Sequence, residues 1–137
     1  RTSSYDEHIK FVSLEVNAGS VEKAEAKLKI EINDKVENTK INGNGPVDAT
    51  FNAIKKLTKT EFKLKLYQVN AITAGTDAQG EVTVRLEDEN LSSQAKGSDP
   101  DIIVASAKAY INALNRLIFK KTKSIKENIA SLKIEGV

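Results

Sequence analysis

Four carboxylates, Asp48, Asp77, Asp99 and Asp101, stand where this chain turns into loops or helices. Two of them in one pocket with separated pKa values would do acid–base work. Turn and helix-cap chemistry is the favoured account of Asp at such places. Their spacing is not that of an EF-hand, so no pattern supports a Mg²⁺ or Ca²⁺ site. With no Cys, thiolate zinc sites, disulfides and Cys nucleophiles are excluded, and the one His, His8, leaves very little room for a Ser/His/Asp triad or a His-rich metal site. Two glycine- and proline-bearing segments, Asn42-Gly43-Asn44-Gly45-Pro46 and Gly97-Ser98-Asp99-Pro100, each precede a helical pattern. A helix start of this kind presents unpaired N–H groups and suits an anionic group. Gly43-x-Gly45 lacks the third glycine of a dinucleotide fingerprint and the Lys of a P-loop, so nucleotide binding is not expected. Tyr67 lies in an apolar stretch and reads as a core tyrosine with its hydroxyl at the edge.

The elements that must carry these residues follow from periodicity. Ile9 to Val16 alternates roughly, with Val12, Leu14 and Val16 assigned to one face. Ala24, Ala26, Leu28, Ile30 and Ile32 alternate with charged residues, which is a strand with one wet face. Asn33-Asp34-Lys35 closes a hairpin, and a third strand is expected from about Val36 to Ile41. Pro46 fits the first position of a helix carrying Val47, Phe51, Ile54 and Leu57 and ending near Thr58. The second half repeats the order. A strand is expected from Leu64 to Thr73, a loop over 74–80, and a strand with Val82, Val84 and Leu86 inward. A turn at Asp88-Glu89-Asn90 and a short strand from Leu91 to Lys96 follow. The segment ending in Pro100 then opens a helix with Ile103, Ala107, Tyr110, Leu114 and Leu117. Leu28, Ile30, Ile32, Gly43 and Pro46 superpose on Val82, Val84, Leu86, Gly97 and Pro100 at an offset of 54. The expected fold is α+β: two βββα units, each too thin alone, packed together.

The chain has 137 residues, 39% hydrophobic and 29% charged, which suits one globular domain. Lys and Arg number 21 against 19 Asp and Glu, a net charge of +2, which argues against a nucleic-acid binder. No stretch reads as a membrane span or signal peptide. There is no Met, so the chain is expected to be a piece of a longer protein. The stretch from Lys120 onward, with Lys120-Lys121-Thr122-Lys123, reads as a solvated basic helix end rather than a phosphate site.

Three segments carry a resemblance. Asn42-Gly43-Asn44-Gly45-Pro46-Val47-Asp48-Ala49, the run from Gly75 to Val82, and the run from Asp101 to Tyr110 followed by Asn112-Ala113-Leu114-Asn115 resemble the C-terminal regulatory domain of the 2-isopropylmalate synthase family, in order and over about residues 8 to 118. The polar residues 1–7 read as a linker remnant or frayed end, and the regulatory domain is expected over 8–137. Its units would span about 8–60 and 61–118; the tail from about 119 carries no family signal and is expected to be helical from the spacing of Ile118, Ile125, Ile129 and Leu132. The resemblance implies a homodimer without catalytic residues, metal or cofactor of its own, in a cytoplasmic protein. A TIM barrel elsewhere in that protein would use a divalent metal to condense acetyl-CoA with 2-oxoisovalerate.

By the same resemblance the effector is leucine. It would be held by Val47 and Asp48, by Leu64, Tyr67 and Ala71 on one strand, by Ala78 and Gly80, and by Pro100 and Ile102. The small residue at Ala71 goes with leucine. The related citramalate synthase, which senses isoleucine, carries a larger one there. A structural dimerisation domain without effector is the reading from another class.

Overall fold

A computed structural model describes residues 7–19, 23–70 and 78–135. The strands are β1 (Ile9–Asn17), β2 (Ala24–Ile32), β3 (Lys35–Gly43), β4 (Lys63–Val69), β5 (Gly80–Asp88) and β6 (Leu91–Asp99). The helices are α1 (Pro46–Thr58), after β3, and α2 (Ile102–Glu135), after β6. β1-β2-β3 and β4-β5-β6 form two antiparallel sheets, each followed by its helix, so the chain is the expected pair of βββα units. Helix α1 packs on β2 and β3, α2 on β5 and β6; the helices touch each other, and α2 also reaches β1. The inward residues of β2 and β5 and the buried faces of both helices form one core, with Leu28, Ile30, Val82, Val84, Leu86, Ile54, Tyr110, Leu114 and Leu117 almost fully buried.

The repeat spacing differs from the expected 54. Asp88 stands 56 residues after Ile32 and Leu91 56 after Lys35, each pair flanking a two-residue hairpin turn; β2 and β5, and β3 and β6, keep that spacing throughout. A slip of two residues leaves every side chain on its own face, so alternation alone cannot detect it. The turns fix the register. Gly97 is therefore equivalent to Ile41, not to Gly43. Both glycines do let a helix approach closely: a Cβ at Gly43 would collide with the backbone of Ala49, and one at Gly97 with the backbone of Ala109.

The first strands are related by 53 residues, because each carries a bulge at the same place. The ladder skips Val12 between Phe11 and Ser13, and Lys65 between Leu64 and Leu66. The bulge separates Val12, which is 44% exposed, from the face assigned to it; the helix-facing set is Ile9, Phe11, Leu14 and Val16. Strand β4 ends at Val69, short of the expected Thr73; residues 71–77 lie outside the described part.

Helix α2 is a single rod of 34 residues that includes the basic tail. By length and mean hydropathy Ile102–Lys133 meets the measure of a membrane-spanning helix, which the reading of the sequence missed; 56% of its most apolar stretch is buried in the protein, as in a core helix. Lys120 and Lys121 still bond Ser92 of β6 and Asp88 of β5; farther along the rod Ile125, Ile129 and Leu132 are exposed.

Candidate functional site

The two helix starts are built differently. Pro46 is the first residue of α1, as its fixed φ and missing N–H favour. Gly45 precedes it in extended backbone, and no side chain caps this end, so the N–H groups of Val47 and Asp48 lack a capping acceptor. The Asp48 carboxylate turns back and accepts the Asn44 N–H at 2.8 Å. Helix α2 begins at Ile102, not at Pro100, and Asp101 caps it: its Oδ1 accepts the N–H groups of Ile103 at 2.7 Å and Val104 at 3.3 Å. Pro100 is exposed and stands ahead of the cap. Its expected place at the helix start is taken by Ile102, the residue equivalent to Pro46 at the 56-residue spacing.

Beside this start, Asp99 accepts the Asp101 N–H at 2.9 Å and pairs with Lys108 at 3.1 Å. Partial burial alone would raise the Asp99 pKa; the Asp101 N–H and the Lys108 ammonium outweigh it and hold the carboxyl below its usual value. These Asp side chains therefore serve caps and a surface ion pair. Asp77 lies outside the described residues. Among the described residues no three metal-ligating side chains cluster.

Tyr67, Gly80 and Ile102 converge at the start of α2. A Cβ at Gly80 would strike the tip of Ile102, so the absent side chain is what admits it. The Ser106 hydroxyl donates to the carbonyl of Ile102 one turn earlier, at 2.8 Å. Having spent its single hydrogen, it accepts from the Tyr67 hydroxyl at 2.8 Å. The Tyr67 oxygen then keeps only lone pairs to offer a third group. Phe51 of α1 meets the Tyr67 ring edge-on at 5.8 Å and lies 4.6 Å from Tyr110. Val47, half-buried, is one turn before Phe51 on the same apolar stripe.

Leu64 and Tyr67 are three residues apart yet share the helix side of the sheet, because the Lys65 bulge restores their parity; they pair with Leu86 and Val84. Leu64 is 44% exposed and sits two ladder steps farther from Gly80 than Tyr67 does. Ala78 is exposed, just before Gly80, and Ala71 lies outside the described residues. Phe51 and Ser106 were not singled out from the sequence. Phe51 had a signal, its place on the stripe with Val47; Ser106 had none, because its partner is 39 residues away.

Behind this wall Tyr110 is almost fully buried. Burial, with the Glu61 carboxylate adding to it, pushes the phenol up to about 12. Among the described residues, grooves open elsewhere, among them one of about 590 Å³ across the first sheet around Lys27, Lys29 and Lys40, and one of about 550 Å³ between His8, Leu57 and Ile118. Neither contains a residue of the expected effector site.

A family profile described as the LeuA allosteric (dimerisation) domain matches residues 1–118. Among similar curated proteins, a 2-isopropylmalate synthase of Rhodopseudomonas palustris (strain TIE-1) is 45% identical over 130 residues, 95% of this chain and 25% of that protein. One of Afipia carboxidovorans is 51% identical over 117 residues, 85% of this chain and 22% of that protein. One of Bradyrhizobium sp. (strain ORS 278) is 48% identical over 122 residues, 89% of this chain and 23% of that protein. The chain spans about a quarter of the length of these relatives.

Proposed function

Because this chain belongs to the LeuA allosteric (dimerisation) domain family, we propose that it is the effector-binding part of a cytoplasmic 2-isopropylmalate synthase, and that it binds leucine as the feedback inhibitor. The observation that carries this reading is the convergence of Tyr67, Gly80 and Ile102 on Ser106 at the start of α2. That corner joins an apolar wall to polar groups without offering an acid–base pair.

A leucine zwitterion asks for three things: donors for its carboxylate, acceptors for its ammonium and room for a branched chain. The uncapped N–H groups of Val47 and Asp48 supply donors, since a helix start attracts anions. The Asp48 carboxylate and the Tyr67 lone pairs supply acceptors. Val47, Leu64, Tyr67 and Ile102 supply the apolar wall, with Ala71 and Ala78 on the segment leading into Gly80. The start of α2 is the poorer anion site, because Asp101 already occupies its donors. One methylene in such a wall separates ligands by about 1–3 kcal/mol, so leucine and isoleucine are close competitors.

The domain works as a homodimer, and the condensation of acetyl-CoA with 2-oxoisovalerate, with its divalent metal, belongs to a barrel elsewhere in the protein. Deleting this domain from the whole synthase is the test. Leucine inhibition should vanish while condensation persists. Inhibition that survives the deletion would overturn the reading.

A further inference from the structure

The two units protect their sheets unequally. β6 is an edge strand, and α2 runs along it. Asn112 Nδ2 donates to the Lys96 carbonyl at 2.9 Å, Arg116 Nη1 to Gln94 at 2.7 Å and Lys120 Nζ to Ser92 at 2.6 Å. Four-residue steps on the helix thus match two-residue steps on the strand. These contacts also show which backbone groups of β6 face away from β5: those of Ser92, Gln94 and Lys96. The equivalents in β3, 56 residues earlier, are Val36, Asn38 and Lys40. The helix residues equivalent to Asn112, Arg116 and Lys120 are Lys56, Thr60 and Leu64, and α1 stops before it can use them. It ends at Thr58, and Lys59 turns left-handed at φ 56°. Only Asn52 reaches the strand, donating to the Asn42 carbonyl at 3.4 Å.

Among the described residues, the outward N–H and C=O groups of Val36, Asn38 and Lys40 therefore have no partner. Bulges interrupt β1 and β4, a usual way of blunting an edge, but the β2–β3 ladder runs through nine pairs without a shift. Val36, at the start of this open edge, is 57% exposed.

We propose that β3 pairs antiparallel with β3 of a second copy of this chain, about a twofold axis through Asn38, joining two three-stranded sheets into one of six. This rests on the reading of the chain as a dimerising module and assigns the surface it uses. The sequence is self-complementary in that register. Val36 falls opposite the partner's Lys40, Glu37 opposite the partner's Thr39, and Asn38 opposite its own copy. Lys35 and Lys40, the residue type by which edges discourage pairing, meet no like charge directly across.

Asn38→Pro tests it cleanly. The Asn38 N–H faces away from β2, so proline removes a donor from the outer edge and none from the ladder within the sheet. By sedimentation velocity the parent should be a dimer. The variant should keep the parent's circular dichroism and raise the dimer dissociation constant about tenfold or more. A folded variant that dimerises like the parent overturns the assignment and leaves the dimer reading standing. A monomeric parent overturns both. A measurement without substitution keeps the proposal falsifiable should the variant not fold: residue-resolved amide exchange of the parent. The Val36, Asn38 and Lys40 amides should be protected in the dimer and lose protection on dilution, while Thr39 and Ile41 stay protected. Rapid exchange of the outward amides in the dimer would sink the idea.

Discussion

The two βββα units share hairpins, bulges and the lengths of their second and third strands, and they differ most at the helix. Position 59 ends α1 in a left-handed turn; its equivalent in α2, Asn115, is buried mid-helix. Asn115 donates to the Ile9 carbonyl at 2.8 Å and accepts the Ile9 N–H at 3.1 Å, spanning 106 residues of sequence. One helix thus closes the edge of its own sheet at β6 and ties down the first strand of the other. The shorter helix does neither for β3 or β4. The repeat makes two similar halves, and the extension of one helix binds them together while leaving β3 uncovered.

Removing the tie should have the largest effect. Asn115→Leu strands the buried N–H and C=O of Ile9, each costing about 1–3 kcal/mol, so urea unfolding should show a loss of about 3–4 kcal/mol. A loss under about 1 kcal/mol would mean that the two units hold together without it.

Next comes a difference in what the equivalent core positions bury, Ile54 in α1 and Tyr110 in α2. Only the second titrates. The Tyr110 pKa is raised in the folded state to about 12, so an unfolded chain ionises first, near pH 10. The stabilisation is complete below pH 10 and is lost as pH rises from there to about 12, by roughly 2–3 kcal/mol at most. Tyr110→Phe should flatten that alkaline limb; an unchanged limb in the variant would show that another group causes it.

These two effects also mark what the sequence made legible. The strands, the hairpins and α1 follow from alternation, turn residues and Pro46, which act locally. The spacing of 56 rather than 54 escaped, because a two-residue slip preserves alternation and only the paired turns reveal it. The bulges escaped because Val12 continues an apolar alternation that the ladder interrupts. In the candidate site, Tyr67, Gly80 and Ile102 came from a family resemblance. Their junction through Ser106, and the support of Phe51, depend on contacts between distant segments that no spacing displays.

A smaller effect is expected at the closed edge itself. Asn112→Ala combined with Arg116→Ala would make β6 resemble β3. Two exposed hydrogen bonds, to the Lys96 and Gln94 carbonyls, contribute about 1 kcal/mol together, so urea unfolding should show a loss of about that size while the Ser93 and Ala95 amides, which face β5, stay protected from exchange. Unchanged stability would mean that these side chains do not hold the edge, and faster exchange at Ser93 and Ala95 would mean that α2 also guards the β5–β6 ladder.

The smallest concerns the Asp99–Lys108 pair, whose equivalents in the first unit, Gly43 and Asn52, carry no charge. A depressed carboxyl pKa stabilises the fold above its unfolded value, near pH 4, and that contribution is lost as pH falls through the folded value. Lys108→Ala should raise the Asp99 pKa and make the acid limb of the stability curve shallower. The pair is partly exposed, so the change at neutral pH should be about 0.5 kcal/mol or less. A steeper acid limb in the variant would contradict the assignment of the shift to Lys108.

The effector reading is tested most directly by calorimetric titration of this chain with leucine, isoleucine and valine, in chelator and without nucleotide. Saturable binding of leucine, tighter than of the other two, is the predicted result. Tighter binding of isoleucine would contradict leucine as the effector, and heats of dilution alone for all three would contradict an effector site.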